Sequence, residues 1–166
     1  RDRSVSRGLG DVYKRQLEAG GAYSVLPFLK IAAGYEVHYR NRGEAGWKFR
    51  HRYHFDGTLS TRVHRLKVSL RERFQHTFDS NNDELRWRSR VKLAYDIPKC
   101  KIEPYASVEM YNGLNRGEKF DVQRMRYRGG VVLPLSSDWE ADVFYCRQWE
   151  SQARKDIVGV ACTYSF

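Results

Sequence analysis

Residues 85–111 read LRWRSRVKLAYDIPKCKIEPYASVEMY, and this stretch decides the fold. Leu85, Trp87, Val91, Leu93, Tyr95 and Ile97 fall on one side of an alternating run, with Arg86, Arg88, Arg90, Lys92 and Asp96 on the other. That is the period of a β-strand with a single apolar face. Pro98-Lys99-Cys100-Lys101 reads as a turn. Beyond it Ile102, Pro104, Ala106, Val108 and Met110 resume the apolar side, and Glu103, Tyr105, Ser107, Glu109 and Tyr111 the polar side. The stretch is a hairpin with one apolar face and one densely charged face.

The same pattern extends in both directions. Alternation predicts strands at 17–24, 28–39, 47–59, 66–78, 85–97, 102–111, 122–133, 139–149 and 157–166, with helical periodicity almost absent. The apolar sides carry Ile31, Tyr35, Val37, Phe49, Phe55, Leu59, Leu70, Phe74, Val131, Val143, Val158 and Tyr164. Glu72 is a misfit, because alternation points it outward between Leu70 and Phe74; a β-bulge or a rim position would resolve it. Connections near 25–27, 60–65, 98–101 and 134–138 read as short, and those near 40–46, 79–84, 112–121 and 150–156 as longer and more polar. A meander crossing a boundary sorts its connections in this way.

Length and composition narrow the classes. The chain has 166 residues, enough for one domain. Charged residues make up 30% of it, and the mean hydropathy is −0.71, with no run of the ~18 apolar residues that a spanning helix needs. Aromatics reach 14%, as suits an all-β protein. The formal net charge of +10 favours an anionic partner. Cys100, Cys146 and Cys162 have neither metal-site spacing nor an even count, and are read as unpaired thiols. Residues 1–16, RDRSVSRGLGDVYKRQ, show no alternation and no apolar signal segment, and are read as a non-native or disordered leader before a single barrel domain at 17–166.

Alternation of this kind fits two barrels. A soluble lipocalin-like barrel would turn its apolar face inward around an apolar ligand, whereas an outer-membrane barrel turns it toward lipid and lines its interior with charge. Aromatic strand ends (Trp47, Phe78, Trp87, Trp139, Trp149, Tyr164, Phe166) favour the second. The expected fold is therefore an antiparallel meander forming an outer-membrane-type β-barrel with about nine visible strands. The expected location is the bacterial outer membrane, with outer-membrane lipid as its surroundings.

The polar faces supply the candidate site. Register across the 98–101 turn sets Arg90 opposite Glu109, and across 112–121 it sets Glu109 opposite Arg124. Arg126, Arg128, Glu140 and Asp142 complete an interior charge network, read first as ion pairs that fill the barrel. Arg50, Arg52, Arg71, Arg73, Arg88 and Lys92 form a basic wall with few carboxylates beyond Asp56, a surface for small anions or acidic glycans. His54 and Asp56 share a face in the manner of an acid/base pair, but no hydrolase, metalloprotease or phosphate-loop motif is present. Arginines and aromatics lie on opposite faces, which argues against nucleic acid. The reading is a structural, adhesive or narrow-pore barrel without cofactor, metal or catalytic residues; an enzyme on such a barrel is the weaker alternative.

The segments LPFLKIAAGYEV, FRHRYHFDGTLS, LKVSLRERFQHTF, LRWRSRVKLAYDIPKCKIEPYASVEMYN, QRMRYRGGV and GVACTYSF together resemble the bacterial outer-membrane β-barrel family filed as domain of unknown function 2490, common in Bacteroidota. The resemblance runs from about Leu26 to the end. It implies an exported outer-membrane barrel with no assigned ligand, and a longer N-terminal part carrying further strands and a signal peptide that this chain lacks. Counting strand directions back from Phe166 gives the same expectation: the segment at 17–24 runs inward, so an odd number of strands should precede it.

Overall fold

The structure, a computed structural model, describes residues 7–8, 14–41, 47–79, 83–115, 117, 120–150 and 153–164. Nine long strands follow one another: β2 (Lys14–Leu26), β3 (Leu29–Asn41), β4 (Trp47–Val63), β5 (Leu66–Phe78), β6 (Asp83–Tyr95), β7 (Glu103–Gly113), β8 (Val122–Pro134), β9 (Trp139–Glu150) and β10 (Ala153–Tyr164). A two-residue strand, β1 (Arg7–Gly8), precedes them. All lie in one sheet of order β1-β10-β9-β8-β7-β6-β5-β4-β3-β2, and every long strand is antiparallel to its sequence neighbours. Among the described residues β2 has no strand on its second edge, so the sheet is open there.

Because side chains alternate across a strand, one register fixes every face. The faces fall with polarity inward. Glu36, His38, His54, Gln75, Thr77, Ser107, Glu109 and Gln148 are buried, while Phe55, Leu93, Val91, Val108, Val143 and Val160 stand exposed on the opposite face. Phe55 is 56% exposed and Leu93 42%, the reverse of a lipocalin-like arrangement, whose apolar side chains would fill the interior.

Rings gather toward the two ends of the strands. Trp139 packs on Tyr164 at one end, centroids 5.1 Å apart. At the other, Tyr127 meets Trp149 at 5.4 Å, and His51 stacks on Phe78 at 5.5 Å. The Trp47 side chain and Phe166 lie outside the described set, and Trp87 sits within β6, opposite Phe74, rather than at an end.

Several boundaries differ from expectation. β2 starts at Lys14 instead of 17, and β1 also falls in the stretch read as a leader. β1 runs antiparallel to β10, through Arg7↔Cys162 and Gly8↔Ala161, and so in the direction of β3. Ile97 and Ile102 fall outside the strands because β6 stops at Tyr95 and β7 starts at Glu103; in that turn Lys99 takes a left-handed φ of 60°. β10 begins at Ala153, not 157, since Ala153–Asp156 continues the ladder onto Arg147–Glu150. The connection there is only 151–152, whereas the supposedly short one at 96–102 is longer, so connection length does not separate the two ends of the sheet.

Glu72 does point outward, and no bulge surrounds it: it pairs in register with Gly57 and Ser89. Trp87 Nε1 donates to Glu72 Oε2 at 2.6 Å and Ser89 Oγ donates to the same oxygen at 2.6 Å. Two donors on neighbouring β6 positions hold a carboxylate that alternation alone leaves stranded.

Candidate functional site

The interior charges form rows across the sheet, and register sets who meets whom. Arg90 stands opposite Glu109 as expected, but Glu109 faces Arg126 on β8, not Arg124, which pairs with Tyr111. The ladder has a register shift at Tyr111/Asn112, beside the 114–121 connection.

For Glu109 the Cα partners are not the ion-pair partners. Glu109 Oε1 accepts from Arg88 Nη2 at 2.8 Å and from Arg71 Nη2 at 3.5 Å, and Glu109 Oε2 accepts from the Tyr111 hydroxyl at 2.9 Å. Tyr111 is itself surrounded by guanidiniums: Arg88, Arg126 and Arg124 lie 4.6, 5.1 and 5.3 Å from its ring centroid. Its hydroxyl accepts from Arg126 Nη1 at 2.7 Å. Long side chains carry Glu109 past its Cα partners, to Arg88 one row along on β6 and to Arg71 beyond Arg90 in its own row, so neither Arg90 nor Arg124 is its salt-bridge partner.

The supposed basic wall is mostly neutralised. Arg73 grips Asp56 with two bonds of 2.5 Å, a fork-to-carboxylate geometry. Arg52 Nη1 donates to Glu36 at 2.9 Å, and Arg50 reaches Glu84 at 3.3 Å and Asp79 at 3.7 Å. Lys92 lies over the Tyr105 ring, 4.3 Å from its centroid. Besides Asp56 on β4, the carboxylates that complete these pairs are Glu36 on β3, Asp79 just after β5 and Glu84 at the start of β6. Asp56 is taken by Arg73, so the expected His54–Asp56 couple does not form; His54 turns to Glu36 instead, Nδ1 to Oε1 at 3.4 Å.

The network expected to be balanced is the one left in excess. Arg124 pairs with Glu150 at 2.8 Å, and Arg128 reaches Asp142 only at 4.0 Å. Tyr105 holds Asp142 through its hydroxyl at 2.8 Å. Glu140 is exposed near the start of β9, opposite Pro134 and Thr163, and among the described residues it makes no ion pair. Arg126 bonds Gln148 and Tyr111, both neutral, and among the described residues neither it nor Arg90 has a carboxylate at ion-pair distance. Arg90, Arg126 and Arg128 line one interior pocket with Glu109, Ser107 and Phe144.

Phe144 is the residue that sequence reading missed. It is an aromatic on the charged face, with Arg128 Cζ 3.4 Å from its ring centroid. Its cross-strand neighbours are both glycines, Gly130 and Gly159. A Cβ at Gly159 would stand 2.5 Å from Phe144 Cζ, so the ring lies flat across a place that only glycine leaves open. The signal was a phenylalanine out of phase between two glycines, visible once register is known. The Glu36, His38 and His54 cluster was missed for a related reason: its members converge from two strands.

The comparisons agree with this geometry. No curated protein matches the sequence. Among solved structures, the translocator domain of the autotransporter NalP from Neisseria meningitidis superposes with a TM-score of 0.61 at 16% identity, covering 92% of this chain and 66% of that one. The KdgM porin gives 0.58 at 13% identity, covering 98% and 89%, and has also been solved in complex with disordered oligogalacturonate. LpxR from Salmonella typhimurium gives 0.57 at 10% identity, covering 92% and 73%. These neighbours are outer-membrane β-barrels, and the likeness is one of fold. With polar rows inside, an apolar face outside and a family match over residues 3–158, the chain belongs to the β-barrel family described as protein of unknown function (DUF2490).

Proposed function

We propose that the chain is a barrel of the bacterial outer membrane that admits anions, acidic saccharides among them, through a narrow interior, and that it acts by binding and conduction rather than by catalysis. The exposed apolar face supports contact with outer-membrane lipid. The observation that carries the reading is the pocket where Arg90 and Arg126 lack carboxylate partners among the described residues, beside Arg128 and the Phe144 ring. Uncompensated guanidiniums in a confined interior attract anions, and an aromatic platform beside them suits the flat apolar face of a sugar ring. Oligogalacturonate, the ligand of the KdgM complex, is a polyanionic saccharide of this kind.

The test is reconstitution of the full chain in planar bilayers across a KCl gradient. Conductance with a reversal potential favouring chloride, and reduced current on adding oligogalacturonate, are the expected results. The double variant Arg90→Gln/Arg126→Gln should lose most of the selectivity. Cation preference, or a double variant with unchanged selectivity, would refute the reading.

A further inference from the structure

A second cluster lies away from the pocket, on the inner face of β2, β3 and β4. Glu18 and Glu36 stand directly opposite each other in the β2–β3 register. Like charges placed this way on one face repel unless a cation sits between them. One row along, His54 pairs across the strands with Gly34, and Gly34 with Gly20. A Cβ on Gly34 would stand 2.5 Å from the His54 Cε1, so the imidazole occupies the place of an absent side chain.

From that place the ring faces the carboxylates. Single ligand atoms of Glu18, Glu36 and His54 all come within 4.8 Å of one another. His54 is only 4% exposed, and its buried Nδ1 has no hydrogen-bond partner although it is 3.4 Å from Glu36 Oε1. Two ligands on one tetrahedral ion, with bonds of about 2.0–2.2 Å, are separated by a similar distance. The other oxygen of Glu36 is already engaged: Oε2 accepts from His38 Nε2 at 2.8 Å and from Arg52 Nη1 at 2.9 Å. Those two donors fix the carboxylate with Oε1 toward His54, as outer-shell partners fix a metal ligand.

We propose that Glu18, Glu36 and His54 form a binding site for a divalent first-row metal ion of the Zn²⁺ class. One imidazole with two carboxylates is a donor set that suits Zn²⁺ and its neighbours in the series and leaves a fourth position for water. Each ligand comes from a different strand, so the ion ties β2 to β3 and β4. It also sits between two carboxylates that otherwise repel. Arg52 offsets part of the charge from the Oε2 side.

The experiment uses the tag-free full chain, refolded in detergent and stripped with chelator, titrated with ZnCl₂ by calorimetry and with Co²⁺ by visible absorption. One ion per chain is expected, with Co²⁺ bands of a four- or five-coordinate centre. His54→Gln and Glu18→Gln should each weaken binding at least tenfold. Gly34→Ala, which keeps every ligand but puts a methyl in the place of the ring, should weaken it by a similar factor. His51→Gln, on the outer face, should bind as the parent does. Heat-modifiable gel mobility identifies the variants that have folded. No stoichiometric Zn²⁺ binding by the parent, a six-coordinate aqua-like Co²⁺ spectrum, or parental affinity in folded His54→Gln and Glu18→Gln would overturn the site.

Discussion

The β3–β5 wall and the β6–β9 wall are built from the same residue types, yet the first is largely neutralised and the second keeps guanidiniums in excess. On the first, Arg52 and Arg73 each have a carboxylate within 3 Å. On the second, Glu109 is drawn to Arg88 and Arg71 and capped by Tyr111, so Arg90 and Arg126, its register neighbours, are left without one among the described residues. The difference teaches that the charge of a barrel interior depends on how each carboxylate divides its lone pairs, and that one tyrosine hydroxyl can redirect a whole row.

The sharpest way to break this comparison is Glu109→Gln. It strips Arg88 and Arg71 of their shared counter-charge, and a buried pair opened from one side costs about 4 kcal/mol. The midpoint of urea unfolding in detergent should fall accordingly, and an unchanged midpoint would mean that Glu109 is not the hub. Next comes Arg73→Gln, which abandons a nearly buried Asp56 and should cost about 3 kcal/mol in the same assay.

Smaller still, Gly159→Ala drives a methyl into the Phe144 ring and should cost about 2 kcal/mol, with a change in near-ultraviolet circular dichroism as the ring leaves Arg128. The smallest effect belongs to Arg90→Gln. Arg90 faces Arg71 across the strand pair and has no ion pair to lose, so its removal should shift stability by less than about 0.5 kcal/mol, with either sign. A loss as large as that of Arg73→Gln would erase the distinction between the two walls.

What could be read from the sequence was whatever depends on period two. Strand identity, the outward apolar face and the Arg90–Glu109 register follow from alternation and one hairpin, and the structure has all three. What depends on register across the other connections, or on reach past the adjacent strand, could not be read. Glu36 serves Arg52 from sixteen residues away and Glu109 serves Arg71 from thirty-eight, and nothing local in the chain announces such a partner. Connection lengths misled because the Ala153–Asp156 segment, polar as a loop would be, keeps its ladder: Arg147 Nε donates to Asp156 at 3.0 Å and the Tyr145 hydroxyl donates to it at 2.6 Å. Phe144 was hidden by its own position, an apolar residue out of phase in a strand whose other apolar residues are in phase.

The strand order also has a kinetic meaning. Each long strand pairs with the one next to it in sequence, so eight of the nine pairings in the order β1-β10-β9-β8-β7-β6-β5-β4-β3-β2 are closed by connections no longer than that at 114–121, whose closure entropy is small beside that of a loop spanning the chain. A chain of this kind can zip hairpin upon hairpin from any nucleus. The exception is Arg7↔Cys162, which joins the two ends of the polypeptide. That contact closes the longest loop in the molecule and holds only two residues, so it forms last and opens first. Among amides bonded between strands, the one that β10 directs toward β1 at Ala161–Cys162 should therefore lose protection before those of the β4–β7 hairpins.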